Sequence, residues 1–200
     1  MSDPRTEAPH PVLLRAILWR RLALFAAIAA AGTAVDLASK RWIFDRLGMP
    51  YQSESIWLVD RIFGFTTSLN EGALFGFGQG QGLVFCTLSL AAAGGIAYWL
   101  FVVGAAHDLL LTVALGLVTG GIFGNLYDRL GLPGLAWGPD SGHPPGERVY
   151  AVRDWLHFQV ESFQWPIFNI ADSLLVCGAA LLVWHALAGD AKAHKSSASA

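Results

Sequence analysis

Of 200 residues, 54% are hydrophobic and only 14% charged, against about 25% charged in an ordinary soluble domain. Thirteen basic and fifteen acidic side chains leave a formal charge of −2, which excludes the basic surface that nucleic-acid binding needs, so no nucleic-acid partner is expected. A mean hydropathy of +0.47 points to a bilayer.

The first apolar run follows Arg15, Arg20 and Arg21. Together with the small residues around Ala29–Gly32 it imitates a cleaved secretory signal. Hydrophobicity resumes at Ala34, however, and continues to Ile43 around Asp36 and Lys40. An uncleaved membrane helix over about 22–43 is therefore expected. Runs over about 83–103, 108–128 and 166–188 also reach the ~20 residues a crossing needs. Only a tight turn around Gly104–Asp108 separates the middle two, which predicts an antiparallel hairpin. The connections 44–82 and 129–165 then emerge together on the opposite face.

The predicted fold class is all-α integral membrane: four transmembrane helices with a small extracytoplasmic β-rich region. The expected organisation is a cytoplasmic tail 1–21, one membrane domain over 22–188 and a second cytoplasmic tail 189–200. Orientation follows the density of basic residues at the helix ends. Arg15, Arg20, Arg21, Lys192 and Lys195 crowd the short tails, with Arg5 further out, whereas Arg46, Arg61, Arg129, Arg148 and Arg153 are spread along the two connections.

Within the first connection, Tyr51–Leu69 is rich in aromatic and β-branched residues and predicts short strands lying on the membrane surface. The glycine-rich stretch Gly76–Gly82 lacks a strand–turn–helix setting, so it reads as a flexible approach to the second helix rather than a phosphate loop. The second connection, with Pro133-Gly134 and His143-Pro-Pro-Gly146, reads as irregular surface chain. Gly116, Gly120 and Gly124 recur every fourth residue, a face for close helix contact. Cys86 and Cys177 lie in apolar stretches and read as packing residues.

Ionisable residues at membrane depth are expensive and usually functional. Here they are Asp36 and Lys40, Asn125 with Asp128 and Arg129, and Asn169 with Asp172, all expected near the outer boundary. Asp36 and Lys40 stand four apart on one face, which suits a self-neutralising ion pair and equally a substrate contact. Asp128 and Arg129 point to different sides, each needing its own partner, in a structural network or in chemistry. Asn169 and Asp172 share a face, so the amide can orient the carboxylate. On a helix starting near 166 they fall within its first two turns, ~10 Å down. Asp154 alone reads as an ordinary loop aspartate and His157 as a surface histidine, while Trp155 and Trp165 suit the membrane interface.

Taken together, five segments resemble signal peptidase II, the bacterial lipoprotein signal peptidase family. They are Asp36-Leu-Ala-Ser-Lys40, Asn70-Glu-Gly-Ala-Leu-Phe-Gly76, Gly120-Gly-Ile-Phe-Gly-Asn-Leu-Tyr-Asp-Arg129, Val152-Arg-Asp-Trp155 and Phe168-Asn-Ile-Ala-Asp-Ser173. They stand in the family's order across about residues 30–180. The resemblance implies an aspartic endopeptidase of the bacterial inner membrane with Asp154 and Asp172 as catalytic dyad. It implies supporting or substrate-contacting roles for Asp36, Lys40, Asn70, Gly72, Asn125, Arg129 and Asn169, with Asp128 structural. The implied partners are a diacylglyceryl-modified prolipoprotein and membrane lipids, the implied state is a monomer, and no metal or other cofactor is called for. Three departures stand out. Leu74 replaces the usual Ala, Arg153-Asp154-Trp155 replaces Val-Asp-Phe, and a Gly/Pro-rich insertion runs from Pro133 to Glu147.

Two carboxylates held close cannot both ionise cheaply, so one keeps its proton. The ionised one then takes a proton from water while the other donates to the scissile carbonyl oxygen. The surface strands are expected to clamp the extended peptide by edge hydrogen bonds. The rival readings are a small four-helix proton-coupled transporter using Asp172 or Asp36, a magnesium-dependent lipid phosphotransferase, and an inactive binding protein of the same family. The phosphotransferase would need an aspartate-rich helix motif that this sequence lacks.

Overall fold

The computed structural model describes residues 11–72, 78, 80–139 and 141–198, with the side chains of 11–14 and 190–198 outside the description. Leu74 and residues 76, 77 and 79 of the glycine-rich approach to the second helix lie outside it, as do Arg5 and the side chains of Lys192 and Lys195.

Helix α1, Pro11–Leu47, has 37 residues, on the order of 55 Å at 1.5 Å per residue. It exceeds the ~30 Å hydrocarbon core and outruns the expected 22–43 at both ends. Charged residues end an apolar run without ending a helix, and no Gly or Pro interrupts Arg41–Leu47. The stop comes at Gly48, whose φ of +74° supplies the left-handed residue after a helix end. Its N–H donates to Phe44 O at 2.9 Å.

Helix α2, Gly82–Phe101, is joined to α3, Leu109–Arg129, through Gly104 (φ +91°) and a 3-10 turn at Ala105–His107. Asp108 caps α3, its Oδ1 accepting from Leu111 N at 3.1 Å. Helix α4, Ile170–Ala198, closes the bundle. All four helices contain stretches long and apolar enough to cross a membrane. Side chains such as Leu83, Trp99, Val176 and Trp184 face outward, the pattern of helices surrounded by lipid.

Helix α3 is the hub, packed against α1, α2 and α4. Its glycines permit this: a Cβ on Gly120 would lie 3.1 Å from Ala29 O, and one on Gly121 2.5 Å from Ala171 O. Thr33 Oγ1 donates to Gly120 O at 3.1 Å across the α1–α3 seam.

Four antiparallel strands form one sheet in the order β1 (Ile56–Val59), β2 (Phe63–Asn70), β3 (Val152–Val160), β4 (Phe163–Gln164). It rests on the C-terminal end of α1, where Ile43, Phe44 and Leu47 pack with Trp155 and Leu156. Three expectations need correction. The second connection is not irregular throughout, since it contains β3, and Asp154 is a strand residue rather than a loop residue. Trp155 is buried edge-on against Phe65, at 5.2 Å, instead of anchoring at the interface. Helix α4 begins at Ile170 rather than near 166, because Phe168 is drawn into extended pairing with Leu156. Asp172 therefore lies in the first turn of α4, shallower than the expected depth.

Candidate active site

Five chain segments converge at one end of the bundle: the C-terminal halves of α1 and α3, the start of α4, and strands β2 and β3. Strand β3 places Asp154 opposite Ser68 of β2. On its other side, Trp155 N and Leu156 N donate to Phe168 O at 3.0 and 2.8 Å. That pairing brings the next residue, Asn169, against Asp154.

Asn169 organises the site. Its Oδ1 accepts from Asp172 N at 2.9 Å, while Asp172 Oδ2 accepts from Asn169 N at 3.2 Å. This reciprocal pair is a capping box that satisfies the first donors of α4. The amide nitrogen Nδ2 donates both to Asp154 Oδ1, at 2.6 Å, and to Asn125 Oδ1, at 3.1 Å. Asn125 Nδ2 in turn donates to Asp172 Oδ1 at 2.8 Å. The two aspartates thus share one polar frame, with Asp154 buried and Asp172 half-buried.

Burial pushes the Asp154 carboxyl up to about 8, and the charge of Asp172 adds to the rise. Hydrogen bonds from the Asn169 and Asn70 side chains and the charge of Lys40 oppose it. The group is therefore protonated at neutral pH and able to donate.

A layer of charge lies beneath. Lys40 Nζ reaches Asp36 Oδ2 at 2.7 Å, Asp128 Oδ2 at 3.1 Å and Asn125 Oδ1 at 3.0 Å, with Asp36, Lys40 and Asp128 fully buried. Asp36 Oδ1 accepts from Ala171 N at 2.8 Å, fastening α1 to the start of α4. A Cβ on Gly124 would stand 2.5 Å from Asp36 Oδ2, so this glycine makes room for the carboxylate as well as for helix packing.

Asp128 also binds Arg153. Its Oδ2 accepts from Arg153 N at 3.0 Å, and its Oδ1 from Nε at 3.0 Å and a terminal guanidinium nitrogen at 2.8 Å. Two buried cations thus balance two buried anions, and the residue before Asp154 is locked to α3. Arg153 was absent from the expected site residues. The clue was the separation of Asp128 from Arg129, which left the aspartate needing a partner of its own.

Arg129 turns the other way. It donates to Gly72 O at 2.9 Å and lies over the Phe85 ring at 5.3 Å. Asn70 Oδ1 accepts from Gly72 N at 3.0 Å, which holds the turn after β2 beside Asp154. All ten expected site residues thus meet in one connected region. His157 lies outside it, against Trp57 at 5.0 Å, with burial lowering its pKa. Among the described residues no group of three or more His, Cys, Asp or Glu is spaced to hold a metal ion. Cys86 and Cys177 are free, the first buried and the second on the outer surface of α4.

Four membrane-length helices and a buried polar site at one rim define an integral membrane protein with a carboxylate-centred site. The chain belongs to the signal peptidase II family: the family model described as Signal peptidase (SPase) II matches residues 28–188. A lipoprotein signal peptidase of Rhodopirellula baltica is 47% identical over 179 residues, 89% of this chain and 78% of its own length. One from Desulfitobacterium hafniense is 33% identical over 162 residues, 78% of this chain and 93% of the relative. A solved bacterial membrane enzyme, 23% identical, has the same fold with a TM-score of 0.66 across 85% of this chain and 91% of its own. A second, 25% identical, gives a TM-score of 0.65 over 82% and 93%.

Proposed function

We propose that this protein removes signal peptides from lipoproteins as an aspartic endopeptidase, with Asp154 and Asp172 as its catalytic pair. The observation that carries the assignment of roles is the sharing of Asn169 between the two carboxylates. Asp154, buried and raised to about 8, is the acid. Asp172, which accepts N–H donors at both oxygens, is the carboxylate that takes a proton from water. The water attacks the scissile carbonyl carbon as Asp154 protonates the carbonyl oxygen, giving a neutral tetrahedral intermediate. Collapse of that intermediate needs a proton on the leaving nitrogen, which Asp172, now protonated, supplies, while Asp154 takes back a hydroxyl proton as the carbonyl re-forms. The Asp36–Lys40–Asp128–Arg153 layer holds this geometry without entering the chemistry.

The substrate is a prolipoprotein bearing diacylglycerol on the cysteine just after the cleaved bond. Such a lipid keeps the bond at the membrane rim, the level of Asp154 and Asp172. The three arginines Arg15, Arg20 and Arg21 near the start of α1 favour cytoplasmic termini, leaving the sheet and site at the extracytoplasmic face of the bacterial inner membrane. The tails 1–21 and 189–200 then flank a single membrane domain, 22–188, acting as a monomer among lipids. The transporter reading is unsupported: the buried charged side chains gather at one end of the bundle, and the family is a peptidase family.

The test is incubation of the purified protein, with chelator, with a diacylglyceryl-modified prolipoprotein and its unlipidated form. Chelator-resistant cleavage of the lipidated form alone, before its cysteine, supports the reading. Cleavage of both forms, or of neither by folded protein, overturns it.

A further inference from the structure

The Gly/Pro-rich insertion between α3 and β3 is not loose chain. Trp137 N donates to Glu147 O at 2.8 Å and Gly146 N to Trp137 O at 2.9 Å, closing a small hairpin. Within it the His143 imidazole stacks face to face on Trp137, with centroids 4.1 Å apart and planes 7° from parallel. The stacking fixes the direction of the ring, and Nε2 then meets Glu71 Oε1 at 2.7 Å. Glu71 sits between two residues of the site: Asn70, whose side chain hydrogen-bonds Asp154, and Gly72, whose carbonyl receives Arg129. A cavity of about 220 Å³ opens beside the contact, lined in part by Glu71, His143 and Trp137. The polar pair thus joins the two segments at the rim of this cavity.

We propose that His143, braced by Trp137, is a positioning residue that acts through Glu71 to hold the Asn70–Gly72 turn against Asp154. The insertion is thereby a latch on the catalytic end of the molecule. The proposal rests on the peptidase reading for its kinetic consequence but not for its structural one.

The test uses the full chain in detergent and compares His143→Ala, Glu71→Ala, the double variant, and the exchange Glu71→His with His143→Glu. Each single change is expected to lower kcat on the lipidated substrate about threefold to tenfold, with KM little changed. The double variant is expected to be no worse than either single one, the exchange to recover part of the loss, and the unfolding temperature to stay put. Amide exchange across residues 70–72 is expected to accelerate in His143→Ala. Wild-type kcat in the single variants, losses that multiply in the double one, or unchanged exchange at 70–72 would overturn the latch. Should the folded wild type cleave nothing, the peptidase reading falls, and the exchange measurement still decides the latch.

Discussion

Asn169 holds Asp154 through a 2.6 Å hydrogen bond from its side-chain amide, while the same residue caps the helix that carries Asp172. One side chain therefore sets both the N-terminus of α4 and the position of the buried carboxyl. Asn169→Ala is expected to lower stability by about 1 kcal/mol for the lost cap. Its effect on kcat is expected to be far larger, about a hundredfold, because Asp154 loses its anchor. Thermal unfolding in detergent and cleavage rates measured on the same preparation separate the two. Equal loss of both would reduce Asn169 to a cap.

Asp154 gives the protein a specific pH signature. Its folded pKa of about 8 lies above its ordinary value of 3.8. Below 3.8 both folded and unfolded chains hold the proton, and the contribution to stability is full. As pH rises the unfolded chain releases its proton first, so stability declines and the contribution is lost through about 8. Activity that requires protonated Asp154 falls over the upper end of the same range. The unfolding temperature of the wild type, followed across this window beside Asp154→Asn, is expected to show a decline that the variant lacks. Parallel curves would place the proton elsewhere.

Lys40 balances two buried carboxylates, at 2.7 and 3.1 Å. Lys40→Met leaves both facing an apolar side chain and is expected to destabilise by about 3–5 kcal/mol. Replacing Asp36 and Lys40 together by leucine is expected to do less damage than Lys40→Leu alone, since Asp128 keeps Arg153. Equilibrium or thermal unfolding in detergent ranks the three. If the double leucine variant proves the least stable, the buried pair is net stabilising.

Gly124→Ala drives a methyl group to 2.5 Å from Asp36 Oδ2 and 3.1 Å from the Ala171 Cβ. The expected loss is about 1–3 kcal/mol. Gly94→Ala on α2, with nothing within 4 Å, is the control and is expected to change stability by less than about 0.5 kcal/mol. Similar unfolding temperatures for the two variants would mean that the α1–α3 seam relaxes freely.

The helices were legible because their apolar runs are long, and the α2–α3 hairpin because only Gly104–Asp108 separates two of them. Helix ends were less so: Arg41–Leu47 is charged yet helical, and the Asn169-x-x-Asp172 spacing reads as a shared helix face although it also marks a helix start. Strand β3 was hidden because Val152–Leu156 is buried on both sides, which removes the alternation that betrays a half-exposed strand. The Asp128–Arg153 bond joins residues 25 apart on a helix and a strand, a pairing that local spacing cannot reveal. Asp154 became a candidate only through resemblance, since nothing local distinguishes it from other aspartates in connections.

The division of labour between the two carboxylates is tested most directly by cleavage of the diacylglyceryl-modified prolipoprotein by Asp154→Asn and Asp172→Asn, each shown folded by thermal unfolding. Either change is expected to slow cleavage by about a thousandfold or more. Cleavage near the wild-type rate by either folded variant would contradict the assignment of the pair.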